Sequence, residues 1–172
     1  MVTLHRVLRT LNILVAAIIL AAVGAGYWYA WRPLPETTGR LTAPVGRAVS
    51  IARDERGRPH IAAENELDAL FAQGFATAQD RMWQMDMSRR LGSGELSEVA
   101  GAATVALDMR ARRMRMRRIA EVQAREISDE ERAQIAAYAR GVNYYLETHA
   151  GALPLDARAV AITANAGTQR DT

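Results

Sequence analysis

The sequence predicts a mostly α chain with a transmembrane helix, a short β-hairpin and about four further helices. Three observations carry that expectation. Leu11–Trp31 is an uncharged apolar run. Residues 47–63 read as strand, turn and strand, and between Asn65 and Thr148 apolar residues recur at helical spacing between caps and glycines.

His5, Arg6 and Arg9 form a basic head before the apolar run, in which Asn12 is the polar exception. A run of about 21 residues is long enough to cross a hydrocarbon core of about 30 Å as a helix. Tyr27, Trp28, Tyr29 and Trp31 gather at its far end, where amphipathic rings suit the headgroup layer, and Arg32-Pro33 closes it. Positive charge before the run predicts a cytoplasmic N-terminus and an exported body. The length favours a signal anchor over residues 1–32. The alternative is a cleaved signal peptide, with an apolar region at Leu11–Val23 and a cut after Ala25. Both readings export the body.

Residues 33–46 are rich in Pro, Thr and Gly without hydrophobic period, and read as a linker. Arg47 to Arg53 alternates as a short strand, Asp54-Glu55-Arg56-Gly57 has turn chemistry, and Pro59–Ala63 returns. Asn65 is an N-cap for a helix over about 66–91, with Glu66 and Asp68 in its first turn. That helix carries Leu67, Leu70, Phe71, Gly74, Ala78, Met82 and Met85 near helical spacing, and Gly92-Ser93-Gly94 ends it. Glu95–Ala100 fits a short helix. A single long helix is expected over about 104–126. Ser128 with Glu131 is a capping box that starts a last helix over about 129–148, whose apolar stripe is Ile135, Tyr138, Ala139, Val142 and Leu146.

Composition narrows the chemistry. The chain has no cysteine, so it has neither disulfides nor a thiolate metal site. Its 22 basic residues are all Arg, yet the net charge is only +3. Six of those arginines fall between Arg110 and Arg118, broken by Met114 and Met116 and flanked by Asp108 and Glu121. No aromatic residue interleaves for base stacking, so the run reads as a solvated face rather than a site for phosphate or anionic lipid.

Several segments, in order, resemble one known family. They are Arg53-Asp54-Glu55-Arg56-Gly57-Arg58-Pro59-His60-Ile61, Ala78-Gln79-Asp80-Arg81-Met82-Trp83-Gln84-Met85-Asp86, Arg89-Arg90-Leu91 with Gly94-Glu95-Leu96-Ser97-Glu98, Asp108 with Arg112-Arg113, Tyr138–Leu146, and Leu153-Pro154. The chain resembles the opening of the penicillin acylase (penicillin amidase) family of N-terminal nucleophile hydrolases. Ala164-Asn165-Ala166-Gly167 departs from the family's P-E-P-W, and the loss of that tryptophan and both prolines is expected to weaken packing there.

The resemblance implies an α+β fold when complete, two sheets sandwiched between helices. It also implies hydrolysis of linear amides other than peptides, in a bacterium. The family's catalytic serine opens a second chain released when the precursor cuts itself, and a calcium ion joins ligands from both chains. On that resemblance, residues 47–172 are a truncated N-terminal region with no catalytic, substrate-binding or metal residue of their own. The expected partners are the second chain of the precursor and a lipid bilayer through residues 11–31, with no nucleic acid. The body is expected on the extracytoplasmic side of the inner membrane.

In-chain alternatives fail on chemistry. His60 has no second histidine or cysteine at ligand spacing. Asp80 and Asp86 are six residues apart, on different helix faces, and Asp86 suits Arg89 and Arg90 as a salt-bridge partner. With Glu95 they form no evident acid pair. Ser88, Ser93 and Ser97 have no base within motif range. The competing functional class is a small membrane-anchored helical interaction protein without catalysis.

Overall fold

A computed structural model describes residues 2–31 and 37–149. These fall into an N-terminal unit ending at Gly39 and a body beginning at Arg40. Leu153-Pro154 and Ala164–Gly167 lie outside the described residues, as do residues 32–36 of the anchor and linker.

In the N-terminal unit, helix α1 spans Val2–Gly26 and passes into a π-helical stretch, Tyr27–Trp31. His5–Gly26 is a 22-residue stretch of mean hydropathy 2.2 with none of it buried. It is long and apolar enough to cross a membrane.

The body starts with an antiparallel hairpin of β1 (Ser50–Arg53) and β2 (Pro59–Ala62), with Ile51 opposite Ile61 and Arg53 opposite Pro59. Its turn is built by Asp54, whose Oδ1 accepts from the Arg56 and Arg58 backbone N–H groups at 2.9 Å each. Gly57 follows with φ of 75°, which a residue with a Cβ adopts only at a cost.

Helix α2 spans Glu66–Ser93. The Asn65 side chain caps it by accepting from the Asp68 N–H, and Gly94 ends it in the left-handed region, its N–H directed to the Arg90 and Leu91 carbonyls. The helix therefore runs through Gly92 and Ser93, and Gly94 alone is the terminator. Arg81 is non-helical inside it (φ −142°, ψ 26°), a kink one residue after Asp80.

Helix α6, Asp129–Thr148, opens with the expected reciprocal cap between Ser128 and Glu131. It crosses α2 to make the core. Phe71, Ala72, Phe75, Ala76 and Ala78 are buried on α2, and Ala137 and Tyr145 on α6. The expected stripe on α6 is corrected by about one position. The buried line is Ala137, Gly141 and Tyr145, while Tyr138, Val142 and Leu146 are half-buried, Ala139 is exposed and Ile135 is 60% exposed. The reason is close approach. A Cβ on Gly74 would press into the Tyr138 carbonyl group, and one on Gly141 into that of Phe71. The helices meet through their smallest residues, so the contact line follows glycine and alanine. Around it Phe75 and Tyr145 pack edge to face at 5.5 Å, and Tyr145 stacks on His149 at 4.5 Å.

Between them lie α3 (Ser97–Ala100), a 3-10 turn at Ala102–Thr104, α4 (Val105–Arg113) and α5 (Met116–Glu126). The single helix expected over 104–126 is broken in two. Arg115 sits at φ 52°, ψ 36°, the one positive-φ non-glycine residue among those described. No proline or glycine marks the break. The chain must turn there because α4 is tied to the end of α2, whereas α6 returns to pack on α2.

Candidate functional site

The residues of the family-like segments come together as a frame of ion pairs and caps that fixes the hairpin and the connecting helices to α2. Arg53, at the end of β1, projects its guanidinium onto α2. Nη1 and Nη2 donate to the two Asp80 oxygens at 2.8 Å each, Nη2 also to Gln79 Oε1 at 2.7 Å, and Nη1 to the Gly57 carbonyl at 3.0 Å. This two-point geometry matches a planar guanidinium to a carboxylate, and it locks the hairpin beside the α2 kink.

A second cluster closes the far end of α2. Arg90 is 2% exposed and Asp86 is 5% exposed. Arg90 Nε donates to Asp86 at 2.6 Å and Nη1 to Glu98 at 3.0 Å. Arg89 takes the other Asp86 oxygen at 2.8 Å and reaches Glu95 at 3.4 Å. Burial works against the Arg90 charge. The Asp86 hydrogen bond and charge, followed by those of Glu98, outweigh it and hold the guanidinium above its ordinary pKa. The spacing of Asp86, Arg89 and Arg90 indicates the pairing, but not that Asp86 and Arg90 are enclosed.

Two aspartates bind backbone rather than side chains. Asp68 accepts from the Gly46 N–H at 2.9 Å, the Arg47 N–H at 2.8 Å and Asn65 Nδ2 at 2.6 Å. Its carboxyl is held below the ordinary range, first by the Gly46 N–H, then by Asn65, then by Arg47. Asp108, on α4, accepts from the Leu96 N–H at 2.9 Å and the Ser97 N–H at 2.7 Å. Burial pushes that carboxyl up, but the Ser97 and Leu96 donors and the nearby Arg112 charge carry it lower. Sequence reasoning missed both grips, since the backbone donors lie at least 21 and 11 residues away with no local motif joining them. Arg112 Nε completes the second grip by donating to the Gly94 carbonyl at 2.8 Å.

The remaining candidates have structural surroundings. His60 Nε2 lies 3.5 Å from Asp54 on the exposed hairpin. Ser88 donates to the Gln84 carbonyl at 2.8 Å inside α2, so its hydroxyl is engaged along the helix. Asp80 and Asp86 face different partners, as their spacing implied. In the arginine run, Arg117 bridges Glu95 at 3.0 Å and Glu121 at 3.3 Å, and Arg110, Arg113, Arg115 and Arg118 are exposed. Among the described residues no group of three or more His, Asp or Glu side chains is placed to hold a metal ion.

Residues 48–168 match the family model described as penicillin amidase. The chain belongs to the penicillin amidase family. It is 36% identical over 124 residues to penicillin acylase 2 proenzyme of Pseudomonas sp. strain SE83, covering 72% of this chain and 16% of that protein. It is 38% identical over 124 residues to the acyl-homoserine lactone acylase QuiP of Pseudomonas aeruginosa, covering 72% of this chain and 15% of that one. In three dimensions it is similar to a thermostable penicillin G acylase from Alcaligenes faecalis, with a TM-score of 0.56 and 34% identity over 63% of this chain and 60% of that chain. The penicillin amidase match thus begins at residue 48, within the body, and includes none of the apolar N-terminal helix.

Proposed function

We propose that this chain is the N-terminal, scaffold-forming part of a penicillin acylase-type amidohydrolase, an enzyme that hydrolyses the non-peptide amide between an acyl group and an amine nucleus. The match of residues 48–168 to the penicillin amidase family carries the reading. The substrate belongs to the β-lactam side-chain or acyl-homoserine lactone class, since relatives named for each match at similar identity, 36% and 38%. A second chain of the same precursor supplies the nucleophile, a serine whose own α-amine serves as base, together with the oxyanion donors. The calcium of the complete enzyme joins the two chains. The polar frame around α2 keeps this part in shape for that partner. The apolar α1 helix anchors the protein in a bacterial inner membrane with the body on the extracytoplasmic side.

The test is the purified chain incubated with a chromogenic phenylacetyl amide, alone and then with a separately expressed second chain from a relative. The expected result is no hydrolysis above background alone and turnover on mixing. Scattered positioning residues cannot supply the barrier reduction of at least about 8 kcal/mol that modest enzymes provide. Turnover by the chain alone would refute the division of labour. A mixture that stays inert although both chains are folded would favour the membrane-anchored interaction protein.

A further inference from the structure

The stretch that the sequence presents as a free linker over 33–46 is docked along its last residues. The Thr42 carbonyl accepts from the Tyr144 hydroxyl at 2.7 Å, and Asp68 holds the Gly46 and Arg47 N–H groups. Arg47 also lies 3.8 Å from Glu64, a pair too exposed and screened to hold the strap. Each of these ties is polar, and of residues 42–47 only Ala43 and Val45 are even half-buried, none of them buried. The core of Phe71, Phe75, Ala137 and Tyr145 includes none of residues 42–47, although the Tyr144 ring borders it. A segment held by polar contacts at the edge of a packed body belongs to the low end of local stability, where opening precedes global unfolding.

We propose that residues 42–47 are a detachable strap whose latch is Asp68, and that its release lengthens the tether between α1 and the body while the body stays folded. Docked, the strap removes six residues from the tether. Released, it returns them, a gain of up to about 20 Å at 3.3 Å per residue. The latch stands on the contacts above, and the tether rests on the proposed membrane anchoring by α1. Asp68 is suited to the task because one carboxylate meets two successive backbone donors, so a single substitution removes both. Tyr144 is the second hold, and its ring also packs on Phe71 at 5.7 Å.

The experiment is hydrogen exchange on the full chain in lipid nanodiscs, comparing wild type with Asp68→Asn, Tyr144→Phe and, as a surface control, Glu64→Gln. In the wild type the Gly46 and Arg47 amides are expected to be protected. In Asp68→Asn they should exchange at least about tenfold faster while amides of 71–78 and 137–145 change less than about twofold. Tryptic cleavage after Arg47 should rise in parallel, and Glu64→Gln should resemble wild type. Unprotected strap amides in the wild type would overturn the latch. Loss of core protection together with strap protection would overturn detachability. For the tether, a fluorophore on Gln123→Cys, an exposed site in a chain without cysteine, is read against acceptors in the lipid headgroups. Energy transfer should fall in Asp68→Asn; transfer unchanged despite a released strap, or a chain extracted by alkaline carbonate, would overturn the tether while leaving the exchange result to judge the latch.

Discussion

Gly141 of α6 lies against the Phe71 carbonyl of α2 so closely that a Cβ there would also come within 2.9 Å of the Phe75 backbone nitrogen. Gly74 makes the reciprocal approach to Tyr138 and Val142. The obstructing atoms are backbone, which cannot rotate away. Gly141→Ala and Gly74→Ala are therefore expected to force the helices apart at a cost of about 1–3 kcal/mol or more each. Local opening energies from hydrogen exchange at 71–78 and 137–145 measure this. Protection equal to wild type in both variants would contradict the close crossing.

Asp86 and Arg90 form an enclosed pair, and removing Asp86 takes from the buried guanidinium its shortest charged partner. Asp86→Ala should cost about 3–5 kcal/mol because Arg90 keeps its charge away from water. Glu98→Gln should cost far less, as the Glu98 side chain is 54% exposed. Replacing Asp86 and Arg90 together with Leu and Met should recover much of the loss. Thermal and protease resistance of the three variants gives the order, and an Asp86→Ala variant as robust as Glu98→Gln would be the contrary result.

Asp68 and Asp108, whose carboxyls both titrate below their ordinary value of 3.8, contribute to the pH dependence in the same direction as Asp54 and Glu131. A carboxyl lowered by folding stabilises the protein at any pH above its unfolded value, and stops doing so as pH falls through its folded value. Protection of the Gly46, Arg47, Leu96 and Ser97 amides should thus hold from neutral pH to about 4 and be lost below it. Carboxyl carbon titration by NMR locates both steps. Loss of protection near pH 6 would assign the effect to another group.

Arg115 adopts φ 52° without glycine's freedom. Arg115→Gly should stabilise the turn between α4 and α5 by roughly 1 kcal/mol, whereas Arg115→Ile should destabilise it by at least as much. Exchange of the amides around Arg112–Ile119 reports both changes. Equal effects from the two substitutions would place the strain elsewhere.

The anchoring reading has its own check. With α1 crossing the bilayer, the full chain should stay in the membrane fraction after carbonate washing, and a C-terminal alkaline phosphatase should be active while a C-terminal cytoplasmic reporter is silent. A mature N-terminus at Gly26 would remove the anchor and leave export standing.

What the sequence made legible was local. Asn65, Gly94 and the Ser128/Glu131 pair announce helix ends because their chemistry is completed within a turn or so. Asp86 with Arg89 and Arg90 was readable from spacing for the same reason. The break at Arg115 was not, because arginine and methionine are good helix formers and the bend is imposed by Arg112 on Gly94, Arg117 on Glu95 and the return of α6. The stripe on α6 was misplaced because hydrophobicity weights Ile135 and Val142 above Gly141, while the packing geometry ranks them the other way. The grip of Asp68 and the clamp of Arg53 on Asp80 join residues more than twenty apart, and such pairings appear only when the fold is in view.

The pairing of α2 with α6 also sets a waiting time during synthesis. Phe71 and Phe75 emerge about 70 residues before Tyr145, the residue that closes over them. At roughly 5–20 residues per second, that leaves the apolar face of α2 without its cover for about 4–15 s. During that interval the nascent segment holds its hairpin and its caps but no core. A chaperone that shields extended apolar surface would have its longest opportunity there, and any pause placed between codons 80 and 140 would lengthen the exposure without altering the finished protein.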